Sequence, residues 1–233
     1  MDMKLLGLMG GLGAVGAGGA AYVAIVNPFK EKENLTSELI KKEALVKPLT
    51  RNTGDDSKWN EAWKRYKEAH KVSSPENTYK EKDIWGLSEW SKQKGQDNAF
   101  EGFKNECESR AKLRINRESQ EYKDFKNYCA RPKTVSELIG EESGTTLLSK
   151  SGSGEEAQWN EAWKKYKASN TNATSANTDT WKIQDWASAK SGEVATSHYK
   201  DACEKQSNMD IDLTKGLLDT NFINVKNWCT KAS

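Results

Sequence analysis

The chain has 233 residues, 35% of them hydrophobic and 30% charged, and a net charge of +2. Acids and bases are interspersed, which excludes the concentrated basic face that nucleic acid selects. Leu, Ile, Val and Phe are sparse, a composition that leans toward disorder. The nine tryptophans, each able to bury about 150–250 Å², offer a core in their place.

In chain order, the first feature is Leu5–Val26, 22 residues without a charge. About 20 apolar residues cross a bilayer as a helix. A spanning anchor is the preferred reading. A cleaved secretory signal is the alternative, although its apolar region usually covers about 7–15 residues. Gly11, Gly13 and Gly16 match G-x-G-x-x-G, but that fingerprint needs a βαβ unit around it and the downstream sequence supplies none. In a membrane, such small residues let helices approach closely.

The remainder is one unit written twice. "SELI" at Ser37–Ile40 returns at Ser136–Ile139, and "WNEAWKRY" at Trp59–Tyr66 returns as "WNEAWKKY" at Trp159–Tyr166. Asp83–Trp90 returns as Asp179–Trp186, Phe103 and Cys107 as Tyr199 and Cys203, and Tyr122–Cys129 as Phe222–Cys229. The second copy loses four residues before Asp179 and regains four between its cysteines, as loops allow. The expected organisation is an anchor or signal over 1–33, a first unit over 34–133 and a second over 134–233.

Trp59, Trp63 and Tyr66 stand at i, i+4, i+7, one face of an α-helix, with Asp55 and Asp56 at its N-terminus. Asp83 and Asp179 are expected to cap a second helix carrying two tryptophans, Trp85 and Trp90 or Trp181 and Trp186. Phe100, Phe103 and Cys107 mark a third helix, and Tyr122, Phe125 and Cys129 a fourth. "TTLL" at Thr145–Leu148 is the one candidate extended segment, so the fold class is mainly α, with four helices per unit and a "SELI" lead-in. Trp59, Trp63, Trp85, Trp90, Trp159, Trp163, Trp181 and Trp186 are assigned to the cores, and stacking against a sugar is the alternative use of that repeated tryptophan-rich face.

Four cysteines allow three pairings. The repeat favours Cys107 with Cys129 and Cys203 with Cys229, against free thiols in each copy. Such bonds belong outside the reducing cytosol, in agreement with an exported chain. No catalytic, metal or cofactor pattern recurs: His70 and His198 occupy unrelated positions, and Glu61 and Glu161 read as solvated acids.

The Gly/Ala-rich apolar start, the W-x-x-x-W-x-x-Y-K helix, the central tryptophan pair and the terminal aromatic–Cys pair resemble the large paralogous families of uncharacterised proteins in haemotropic mycoplasmas. The resemblance covers nearly the whole chain. The duplication departs from the single unit most members carry. The resemblance implies a non-enzymatic, membrane-anchored protein whose bulk is extracellular, with host interaction or antigenic variation as its role. It carries no catalytic residues. A host cell-surface molecule is the expected partner, besides the membrane that residues 5–26 would enter.

Overall fold

The structure is a computed structural model that describes residues 33–75 and 78–232. Leu5–Val26 lies outside the described residues, and among these no helix is long and apolar enough to cross a membrane. Glu33–Ser233 forms one compact unit that is mainly helical and holds two separate apolar clusters.

The first copy begins with β1 (Asn34–Leu35) and α1 (Thr36–Ile40), then β2 (Val46–Pro48) and α2 (Asp56–Glu68). A one-turn α3 (Trp90–Gln93) leads to α4 (Glu101–Ala111), β3 (Arg114–Ile115), α5 (Gln120–Tyr128) and β4 (Ala130–Pro132). The second copy repeats this with α6 (Val135–Glu141), β5 (Thr145–Leu147), α7 (Glu156–Ser169), α8 (Trp186–Ala189), α9 (Ser197–Ser207), α10 (Thr220–Trp228) and β6 (Thr230–Ala232). The strands pair antiparallel as β1–β3, β2–β4 and β5–β6. A single bridge between Thr134 and Asp210 stands where β1–β3 stands in the first copy. These ladders tie the ends of each unit together, and at two or three residues they leave no alternation in the sequence to detect.

The helix boundaries follow local chemistry. Ser119 and Thr196 accept hydrogen bonds from the amides of Tyr122 and Tyr199 at the starts of α5 and α9, and Thr134 with Glu137 forms a full capping box on α6. The second helix shrinks to one turn in both copies. Its expected caps, Asp83 and Asp179, instead hold a tight loop: Asp83 accepts from the amides of Trp85 and Leu87, and Asp179 from that of Ile183. The loop turns on a left-handed residue, Gly86 at φ +67° in one copy and Lys182 at φ +53° in the other, and left-handed backbone ends a right-handed helix.

Each copy packs its aromatic residues under a disulfide. Cys107 joins Cys129 and Cys203 joins Cys229, with Cα–Cα distances of 5.4 and 5.7 Å. The bonds close 22 and 26 residues, so each should contribute about 3 kcal/mol by restricting the unfolded chain. Urea denaturation with and without dithiothreitol checks this, and an unchanged midpoint would contradict it.

The copies meet through ions. The Arg131 guanidinium on β4 reaches Asp55 Oδ1 at 2.7 Å and both carboxylate oxygens of Glu137 at 2.8 Å. Lys47 also binds Glu137, at 2.7 Å, and Lys58 binds Asp210 at 2.6 Å. Leu45 of the first copy packs against the second core. A Cβ placed on Gly216 would lie 3.5 Å from Leu45 Cδ1, so the four residues regained by the second copy fall in the segment that meets the first.

Candidate functional site

Nearly every letter of the repeated "WNEAWKRYK" and "WNEAWKKYK" has a structural task. The indole N–H of Trp59 donates to Thr50 O at 2.7 Å and that of Trp63 to Gln96 O at 3.0 Å. Trp159 and Trp163 donate to Ser149 O and Gly192 O at 3.3 and 3.2 Å. Asn60 and Asn160 each accept a loop amide at 2.9 Å, from Ala99 and Ala195. The Tyr66 hydroxyl donates to Asp83 and accepts from the amide of Trp85; Tyr166 does the same with Asp179 and Trp181. Burial, and then the bond to the aspartate, pushes both tyrosine hydroxyls well above their ordinary value. Lys67 and Lys167 lie over the rings of Trp63 and Trp163 and donate to the same carbonyls as those indoles. Glu61 and Glu161 are exposed.

Six of the eight tryptophans assigned to the cores (Trp59, Trp63, Trp90, Trp159, Trp163 and Trp186) are buried. Trp85 and Trp181 are not: each packs against its core but stays partly exposed, because the left-handed turn carries it to the rim. The guanidinium of Arg110 covers Trp85 at 4.5 Å. Trp228 is a buried core residue the pattern overlooked; its aromatic–Cys position was the available signal.

His70 is structural. Its Nδ1 lies 2.7 Å from Tyr66 O, and its Nε2 accepts from the amide of Ile84 at 3.0 Å. Asn170, its counterpart, donates to Tyr166 O at 2.8 Å and accepts from the amide of Thr180 at 2.8 Å. Replacing His70 by Asn should therefore cost no more than about 1 kcal/mol, whereas His70→Leu, which orphans both partners, should cost about 2–3 kcal/mol. Equal midpoints for the two variants in urea would refute the equivalence.

Comparison with known proteins finds no matching family model, curated protein or solved structure. The site must be read from its own geometry.

A cleft with a volume of about 570 Å³ lies in the second copy. Leu147, Leu148, Trp159 and the Cys203–Cys229 bond line it with apolar atoms, while Ser136, Ser149, Ser151, Ser207 and Asn208 supply polar ones. Lys150 and Lys200 bring positive charge to it and Glu204 negative, and neither histidine lines it. In the first copy the corresponding place is spanned by Arg51, which binds Glu108 at 2.6 Å, Glu101 at 2.5 Å and Asn105 at 2.6 Å along one face of α4. Among the described residues no group of three or more His, Cys, Asp or Glu is placed to hold a metal ion. The cleft has the size and mixed lining of a binding site for a small polar group, with no imidazole beside its hydroxyls to activate them.

Proposed function

We propose that the chain is a non-enzymatic, membrane-anchored surface protein that contacts host molecules or varies the antigenic surface, its bulk outside the cell. One observation carries the reading: the buried contacts are duplicated while exposed residues beside them, at the cleft above all, change. Both copies keep the disulfide, the tryptophan–carbonyl bonds and the tyrosine–aspartate bond. Around that frame Arg51 becomes Lys150, Glu101 becomes Ser197 and Asn105 becomes Asp201. A fixed frame with changeable outer positions suits a protein selected for its surface, and two disulfides suit an oxidising compartment. The sugar-stacking alternative loses its support where the indoles are buried and their N–H groups bonded internally.

The test is binding of the full-length chain, solubilised in mild detergent, to intact host erythrocytes, together with protease accessibility of the chain on intact source cells. Saturable binding and cleavage from outside are the expected results. A chain protected from external protease until the cells are opened would overturn the surface reading.

A further inference from the structure

The two copies differ most usefully at the cleft. In the first copy an arginine side chain lies across the groove between the loop after β2 and α4, its guanidinium held by three acceptors one turn apart, Glu101, Asn105 and Glu108. Along α9 the corresponding residues are Ser197, Asp201 and Glu204. Two acceptors therefore remain, and one has gained a charge. The side chain arriving from the loop is now Lys150, whose single ammonium pairs with Asp201 and feels the charge of Glu204 at longer range. Glu204 borders the cleft and forms no ion pair within 4 Å among the described residues.

We propose that the second-copy cleft binds an arginine side chain of a partner peptide, as the equivalent groove of the first copy binds the chain's own Arg51. Glu204 takes the guanidinium, and Asp201 joins it when Lys150 swings aside. The arginine stem lies on Leu147, the edge of Trp159 and the disulfide, an apolar floor that suits its methylenes. A planar guanidinium offers several donors in a fixed fork, so it can bridge two carboxylates one helical turn apart where an ammonium satisfies one. The second cation lining the cleft, Lys200, is occupied: it binds Glu156 at 2.9 Å and lies over the ring of Trp159. This inference stands on the cleft alone and is independent of where in the cell the protein resides.

The probe is acetyl-Gly-Arg-Gly-amide, titrated calorimetrically into the full-length oxidised chain in mild detergent, with the citrulline peptide as its uncharged match. The arginine peptide should bind one per chain and the citrulline peptide at least about tenfold more weakly, the effect of losing hydrogen bonds to a charged group. Glu204→Gln should weaken the arginine peptide by a similar factor. Lys150→Ala should tighten it by about threefold, since an exposed ion pair is worth little. Two further variants use the internal template. Lys150→Arg should fill the cleft with the chain's own side chain and abolish binding. Arg51→Ala should open the first-copy groove and raise the stoichiometry from one to two. All these substitutions are at exposed positions, and circular dichroism confirms the fold in each. Undiminished binding by Lys150→Arg, equal binding of the citrulline peptide, or an unchanged stoichiometry in Arg51→Ala would overturn the proposal.

Discussion

Trp63→Ala should destabilise the protein by about 4 kcal/mol, the cost of a large cavity in a close-packed core. Trp63 is fully buried. Its ring meets Phe103 at 5.1 Å, Phe100 at 5.3 Å, and Tyr66 and Trp90 at 5.8 Å each. A chain short of aliphatic residues has little with which to refill that space. Truncation also removes a donor from Gln96 O, leaving Lys67 to satisfy it alone. Trp163→Ala should show a similar loss in the second copy, where Thr196 replaces Phe100 and the ring has fewer aromatic neighbours. Urea denaturation followed by far-ultraviolet circular dichroism measures both. A Trp63→Ala protein that unfolds at the parent's midpoint would place that residue outside the core.

Arg131→Ala should cost about 3–5 kcal/mol, because it leaves a buried carboxylate without its counter-charge. The Arg131 and Asp55 side chains are only 9% and 7% exposed. Burial pushes the Glu137 carboxyl up, but hydrogen bonds from Arg131 and Lys47 and from the Thr134 amide outweigh it and bring the carboxyl down to about 2. The sign follows from that depression. An ordinary glutamate titrates at about 4.3, so Glu137 adds stability that is fully present above that value. The contribution fades as pH falls through the window between there and about 2. Thermal unfolding recorded across that window should show a steep acid loss in the parent that Arg131→Ala reduces, since the leading bond that lowers the carboxyl has gone while those from Lys47 and Thr134 remain. Arg131→Lys should give an intermediate result: an ammonium can keep Asp55, as Lys231 keeps Glu155 in the second copy, but cannot hold Glu137 through two parallel bonds. An acid profile identical in parent and Arg131→Ala would remove Glu137 from the junction.

The sequence displayed its buried frame clearly and its joints poorly. Trp59, Trp63 and Tyr66 share a helix face because side chains every 3.6 residues align, and that period survives in the letters. The cysteine pairs were legible because duplication marked which two belong together. The short second helix was not: Asp83 resembles a cap, and nothing local says that Gly86 and Lys182 both adopt left-handed backbone. The Lys182 case is especially opaque, since lysine rarely sits there. The four-residue length differences read as loop drift, yet the later one falls where Gly216 approaches Leu45, a contact between positions far apart in the chain. The exchange of Arg51 for Lys150 is visible once the copies are aligned. Its meaning is not, because the acceptors lie about fifty residues downstream on another element.

The central claim is that the twice-written tryptophan motif forms an internal frame and leaves no exposed ligand platform. Hydrogen exchange at the indole nitrogens tests it most directly. The nine tryptophans give up to nine resolvable ¹H–¹⁵N indole signals, assignable by single Trp→Phe substitutions. Those of Trp59, Trp63, Trp90, Trp159, Trp163 and Trp186, which donate to Thr50, Gln96, Lys80, Ser149, Gly192 and Ala173 carbonyls respectively, should persist in deuterated buffer long after exposed amides have exchanged. If Trp63 and Trp163 lose their signals as fast as an exposed indole while the protein stays folded, the motif faces solvent and the account fails.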